Sequence, residues 1–301
     1  MTTHKDMIFQ FGGVPVGGAK FSNPFAKHWF VDGELGNDGL YKGQRPNQAK
    51  KTIDAAAQLM GVGDVCYIKP KAYAVGTGHA RYDELVTIDL AQSDLTFIGT
   101  GYNRNNEFGV RMMASATGYC FDVAGPSCHF ENIGFFVNGG TGCVYMRNNG
   151  ATLTERGSDG YVFYNCNFKD GTTLCKGGQA GRFYECVFMH QTGTLTIATP
   201  DVSGYGQQIR NCVFLDNNGA AVTGPYLHAS GAHVYNLLVD HCTFQQIPSG
   251  GKYIVMGGTL NTGTISWCTF EDDDVDPATM LTLGGTEMRI IGCTDYAGFI
   301  A

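Results

Sequence analysis

From residue 95 to residue 295 the chain repeats one arrangement of apolar and polar positions: an apolar residue, two linking residues, a small apolar residue, one variable position and a large apolar residue. It reads FENIGF at Phe130–Phe135, FYNCNF at Phe163–Phe168, FYECVF at Phe183–Phe188, IRNCVF at Ile209–Phe214, VDHCTF at Val239–Phe244, ISWCTF at Ile265–Phe270 and IIGCTD at Ile290–Asp295. LTFIGT at Leu95–Thr100 is an earlier, looser copy. Alternation of this kind predicts the end of one strand, a bend, and a second strand with two inward side chains. The residue before the fourth position is Asn132, Asn165, Glu185, Asn211, His241, Trp267 or Gly292. Asn and Gly lead that set because they best tolerate the positive φ of a tight bend.

The fourth positions are Ile98, Ile133, Cys166, Cys186, Cys212, Cys242, Cys268 and Cys293, so successive copies lie 35, 33, 20, 26, 30, 26 and 25 residues apart by subtraction. Helical repeats hold a nearly fixed period, whereas these vary. Coils that keep their strands and change their loops explain the variation. The predicted fold is all-β: a single-stranded, right-handed parallel β-helix of about eight or nine coils. Coils stack about 4.8 Å apart. The cysteines should therefore form one internal column, and Phe168, Phe188, Phe214, Phe244 and Phe270 another. A small residue beside a large one in each layer fills a narrow lumen. A metal on the cysteine column would require thiolates in a dry interior, and in-register neighbours give poor disulfide geometry.

Composition agrees with that reading. Of 301 residues, 43% are apolar, which permits a large core, and only 16% are charged, against roughly 25% in an average domain. The 43 glycines suit many strands and tight turns. The net charge of −7 and the lack of a basic cluster argue against nucleic acid as partner. No run of 18 apolar residues predicts a membrane span, and no clean signal peptide opens the chain. Eleven cysteines with no CxxC pair fit neither zinc nor a disulfide framework, and no cofactor is expected.

Ahead of the repeat, residues 28 to 73 read HWFVDGELGNDGLYKGQRPNQAKKTIDAAAQLMGVGDVCYIKPKAY. The pattern predicts strands at Trp29–Val31 and Val65–Lys69, with a helix between them over about 47–60. Asn47 would be its N-cap, Gly61 its stop, and Ile53, Ala56, Ala57 and Met60 its apolar face. Such a helix should cover the open end of the coil stack.

This passage resembles the opening of pectate-lyase-superfamily parallel β-helix proteins, "VD…GND…TI..A…GD.IYIKPG.Y". The matching residues are Val31, Asp32, Gly36, Asn37, Asp38, Thr52, Ile53, Ala56, Gly63, Asp64, Tyr67, Ile68, Lys69, Pro70 and Tyr73. With the repeats, the resemblance spans about residues 28 to 297. It implies the fold rather than an activity, because the fold hosts lyases, hydrolases and inert structural proteins. Many members with this opening resemble bacteriophage virion proteins, such as tailspikes and surface decorations.

The enzymatic signatures of that superfamily are largely missing. The chain has no R-x-P-x-x-R setting and neither GHG nor RIK. LLVDHCTF at Leu237–Phe244 resembles a W-I-D-H-C-S/T-F segment of pectate lyases, which is structural there and implies the same for Asp240 and His241. Glycoside hydrolysis would need two carboxylates over a groove, and Glu185, Asp216 and Asp240 are the candidates. Oxygen ligands for Ca²⁺ could gather at Asp272, Asp274 and Asp276, although EF-hand spacing is lacking and a solvated acidic loop is the simpler reading. His228 and His233 fall in a Gly/Ala-rich stretch without ligand-spaced partners.

Residues 1–27 stand apart from the domain at 28–301. Their Phe9, Phe11, Val14, Val16, Phe21 and Phe25 lie between glycines and prolines, as in an arm that packs along its own rod or docks on another subunit. The resemblance then implies a non-enzymatic phage virion component. It would be a capsid-surface decoration or short spike, assembled in a host cytoplasm, homo-oligomeric (a trimer for such parts) and docked to capsid, tail or portal subunits. Two rivals are a tailspike that cleaves host polysaccharide and a carbohydrate-binding protein using Tyr161, Tyr164, Tyr184 and Trp267.

Overall fold

The bend residues set the architecture. Asn132, Asn165, Glu185, Asn211, His241 and Trp267 have φ between 49° and 57°, and Gly292 has φ 62°. A left-handed residue turns the chain sharply. Tyr164 thus ends one strand and Asn167, past the bend, begins a strand of a different sheet. The computed structural model describes residues 9–11, 14–16, 26–72, 80–101, 109–114, 118–137, 141–147, 157–169, 173–176, 179–189, 194–198, 204–215, 226–229, 233–245, 252–271, 281–284 and 287–295.

Three parallel sheets result. Sheet I has ten strands: His28–Val31, Val65–Ile68, Thr96–Gly99, His129–Glu131, Val162–Tyr164, Arg182–Tyr184, Gln208–Arg210, Leu237–Asp240, Thr262–Ser266 and Glu287–Ile291. Sheet II has eight strands, from Tyr82–Asp83 to Thr269–Phe270, and sheet III eight, from Val86–Ile88 to Leu281–Thr282. The chain visits I, II and III in that order eight times among the described residues, always pairing in parallel with the coil before. This is a parallel β-helix. Its winding is right-handed, the hand that right-twisted strands impose on parallel crossovers.

Rows of rings fill the lumen. In sheet II, Phe135, Phe168, Phe188, Phe214, Phe244 and Phe270 stack with centroids 5.2, 5.0, 4.7, 4.7 and 4.9 Å apart. Sheet I contributes a second row, Phe97, Phe130, Phe163 and Phe183, at 5.6, 4.8 and 5.2 Å. Register continues that row as Ile209, Val239, Ile265 and Ile290. Between the rows runs the cysteine column. Cys166, Cys186, Cys212 and Cys242 each donate a thiol hydrogen bond of 3.5 Å to a sheet I carbonyl of the preceding coil, namely Phe130, Phe163, Phe183 and Ile209. Cys268 and Cys293 repeat the contact to Val239 and Ile265 at 3.8 and 3.6 Å. Ten described cysteines are buried free thiols.

Two expectations need correction. Phe97 pairs with Phe130, so Ile98 stands opposite Glu131 on the outer side of the register and not in the cysteine column. The expected helix of 47–60 is a single 3-10 turn, Pro46–Gln48, followed by an α-helix of only Ile53–Ala57. Residues between them are held extended by the first strand: Lys50 N bonds Phe30 O at 2.8 Å, and Asp32 N bonds Lys50 O at 2.9 Å. Thr52, not Asn47, is the N-cap, its Oγ1 accepting from Ala55 N. The expected apolar face of Ile53, Ala56, Ala57 and Met60 is buried, and the helix packs on strands His28–Val31, Val65–Ile68 and Val86–Ile88.

The polar residues of the opening passage tie down backbone. Asp32 accepts from the amides of Glu34 and Leu35 and from Lys69 Nζ, the last at 2.8 Å. Asp38 accepts from the amides of Lys51 and Thr52 and from Thr52 Oγ1. Asp64 accepts from Lys27 N, Gly61 N and the Trp29 indole N–H. The first coil is thus held by carboxylate acceptors, Asp32 and Asp64 buried and Asp38 half-buried, since unpaired loop amides would be costly there. No helix among the described residues is long and apolar enough to cross a membrane.

Candidate functional site

The outer corner between sheets I and II carries the candidate chemistry. In each sheet I strand the central residue points into the lumen, so the next one points outward. Register aligns these outward residues as Glu131, Tyr164, Tyr184, Arg210, Asp240 and Ser266. Beside them run the bend residues Asn132, Asn165, Glu185, Asn211, His241 and Trp267. The two columns form one stripe, advancing about 4.8 Å per coil.

Hydrogen bonds link neighbouring coils along it. Asn165 Nδ2 donates to Asn132 Oδ1 at 2.6 Å, and Tyr164 Oη donates to Glu185 Oε2 at 3.1 Å. Burial first, then the bond to Glu185, pushes the Tyr164 phenol above its ordinary value. Tyr184 Oη donates to Gln208 Oε1 at 3.1 Å. Asp240 is the most heavily bonded group. Its Oδ2 accepts from Arg210 Nε and Nη2 at 3.2 and 3.0 Å, and its Oδ1 from Ser266 Oγ at 2.8 Å and His241 Nδ1 at 2.9 Å. Burial works to raise the Asp240 carboxyl, but the bonds from Ser266, Arg210 and His241 outweigh it and hold the group below the usual carboxylate value.

The expected site residues are therefore only partly brought together. Glu185 and Asp240 share the stripe but stand two coils apart, about 10 Å along the axis. A hydrolytic pair needs an acid whose pKa is raised, and Asp240 is shifted the other way. His241 is the left-handed bend residue beside it, so Asp240 and His241 make a satisfied bend. Asp216 lies outside the described residues, as do Asp272, Asp274 and Asp276. Among the described residues no group of three or more His, Cys, Asp or Glu could hold a metal ion. His228 belongs to sheet III strand Leu227–Ala229, where burial keeps its imidazole below the ordinary value. His233 Nδ1 accepts from Leu260 N at 3.3 Å.

Of the four aromatic candidates, Tyr161 is a core residue, 1% exposed, its ring packed edge-on against Phe163 and Phe183. Tyr164 and Tyr184 are half-buried, and Trp267 is 55% exposed. Arg210, which clamps Asp240, was not singled out from the sequence. It occupies the same position in IRNCVF that Asp240 occupies in VDHCTF, one coil away, and opposite charges at equivalent places in adjacent copies are the signal that marks it. At the N-terminus, Phe9–Phe11 and Val14–Val16 are antiparallel strands with Phe9 opposite Val16. Their side chains, and Phe21 and Phe25 altogether, lie outside the described residues.

Asp240→Asn is expected to destabilise the fold by about 1.5–3 kcal/mol at pH 7, the range for hydrogen bonds to charged groups. Because the folded pKa is depressed, the carboxylate's contribution is complete above the unfolded value of about 3.9 and fades as pH falls below it. Chemical denaturation at pH 7 and pH 3 reads the difference. A gap between wild type and variant that does not shrink at pH 3 would show that the Asp240 charge is not what the cluster holds.

No protein-family model matches the chain, and no curated protein matches it. Among solved structures it is similar to pectate lyase Pel9A, at 13% sequence identity over 91% of this chain and 78% of that one, with a TM-score of 0.42. The parallel β-helix stands on the three stacked parallel sheets themselves.

Proposed function

We propose that the protein is a non-enzymatic structural component, of the kind that decorates a bacteriophage virion or forms a short spike on it, docked to virion subunits through its N-terminal arm. The observation that carries this reading is the hairpin of Phe9–Phe11 and Val14–Val16. Among the described residues its strands pair only with each other and join none of the three stacks. A lone two-stranded hairpin is marginal in water, so it needs a surface to complete it, and a neighbouring subunit supplies one. The resemblance of the opening passage to virion proteins and the saturated, anionic Asp240 support the same reading. A homo-oligomer, decorating the virion surface, is part of the proposal.

Deletion of residues 1–27 is expected to leave the circular-dichroism spectrum and thermal transition of the β-helix intact while abolishing attachment to particles. The measurement is occupancy of purified virions by full-length and truncated protein in co-sedimentation. Full occupancy by the truncated chain would remove the anchor assignment. Release of reducing ends from a host polysaccharide by the full chain, abolished by Glu185→Gln, would replace the structural reading with an enzymatic one.

A further inference from the structure

The left-handed bend favours Asn and Gly, and for other residues it costs roughly 1–2 kcal/mol. Asn132, Asn165, Asn211 and Gly292 obey that preference, whereas Glu185, His241 and Trp267 do not. Trp267 also breaks the burial rule for a large aromatic, being 55% exposed. Strain together with exposure at three bends of one corner, two of them in adjacent coils, points to use of the side chains. Their free groups converge there. Among the described residues His241 engages only Asp240, through Nδ1, which leaves Nε2 without a protein partner. Among the described residues the Trp267 indole N–H and the Asn211 side-chain amide have no partner either. The Trp267 ring is held in place: its edge atoms lie 2.5–2.9 Å from where a Cβ on Gly292 would stand, so only glycine fits beneath it.

The chemistry of the stripe selects its ligand. The Arg210 charge is cancelled by Asp240, leaving no positive surplus for a phosphate or uronate polymer. Sheet I strands along the stripe are paired on both sides, so no open edge is offered to an extended peptide. What remains is a straight row of hydrogen-bonding groups, about 19 Å long from Asn165 to Trp267, ending on an exposed indole. Hydroxyl groups and a C–H-rich ring face are its complement.

We propose that this corner is a binding track for a linear, uncharged polysaccharide. Trp267 stacks on one sugar ring, and Glu185, Arg210, Asn211 and His241 Nε2 take hydroxyls of the units that follow. The track stands independently of what the N-terminal arm docks to.

Affinity electrophoresis of the full chain through gels containing soluble neutral glucan, mannan or galactan, with polygalacturonate as the charged arm, tests this. Retardation is expected in at least one neutral gel, weakened ten-fold or more by Trp267→Ala and by Asn211→Ala, with melting temperatures of both variants confirming the fold. Fluorescence supplies a second readout. Of the two tryptophans, Trp29 is buried and bonded to Asp64, so quenching by added polysaccharide reports on Trp267. No retardation in any neutral gel, binding confined to polygalacturonate, or binding indifferent to both variants would each overturn the proposal. A change of oligomeric state on Trp267→Ala, with no change in retardation, would also overturn it by making the corner a contact between copies.

Discussion

Phe188→Ala is expected to cost about 3–5 kcal/mol of stability, the range for emptying a well-packed aromatic site. Phe188 is fully buried, with Phe168 stacked below it at 5.0 Å, Phe214 above at 4.7 Å and the edge of Phe183 at 5.7 Å. The site cannot collapse to fill the void, because its strand is hydrogen-bonded to a coil on each side in fixed register. In a solenoid each coil touches chiefly its neighbours, so the loss falls on two interfaces at once. Val187→Ala is the internal control: it lies on the same strand but faces outward, and should cost well under half as much. Urea denaturation of the three proteins measures the difference. Equal midpoints for Phe188→Ala and Val187→Ala would mean that the ring row is not the core of the rod.

Most of the fold was legible because one structural event repeats. Each coil must turn between sheets I and II at the same place, and the turn restricts its residue enough to leave Asn or Gly in most copies. That single bend fixes the register of the cysteine and sheet II phenylalanine columns. The first copy misled because Leu95 and Phe97 are both apolar and two apart, so LTFIGT fits the phrase in either of two registers. The decisive residue is Gly99, whose position admits no side chain, the Asn132 carbonyl oxygen lying 2.2 Å from a would-be Cβ. Sheet III was not legible at all. The stretches of sequence that precede its strands vary in length and repeat no residue type, so nothing in the sequence marks them. The helix start was misplaced for a different reason: Asn47 has good capping chemistry, but pairing of Lys50 with the first strand is a tertiary demand that local propensity cannot reveal.

The candidate site followed the same logic. The corner residues share one position of the repeated phrase, yet their neighbours across coils could be read only by laying one copy over the next. Laid so, Arg210 falls beside Asp240 and Tyr164 beside Glu185, and the apparent acid–base candidates become partners in a bonded row. Tyr161 was misjudged because position alone cannot separate it from Tyr164. It precedes its strand and packs inward before the outward alternation begins.

Native thiols are expected to be nearly inert. Burial pushes Cys120, Cys128 and Cys166 up to about 12, and it raises Cys66, Cys186, Cys212 and Cys242 as well. At pH 8 an ordinary thiol of pKa about 8.5 is roughly one-quarter thiolate, whereas one of pKa about 12 is about 10⁻⁴ thiolate. Attack by a disulfide reagent should slow about a thousand-fold from ionisation alone, before the opening needed for access is counted. The column adds a further restraint, since each thiol already donates to a carbonyl of the coil below. Ellman's reagent should therefore label at most one of the eleven cysteines at pH 8, namely Cys175, whose side chain lies outside the described residues, and all eleven in guanidinium. Rapid native labelling of two or more thiols would place sulfurs at the surface and dissolve the internal column. Labelling that is slow but shows the same rate at every thiol would instead identify whole-rod opening as the route, which is the behaviour expected of a single continuous stack.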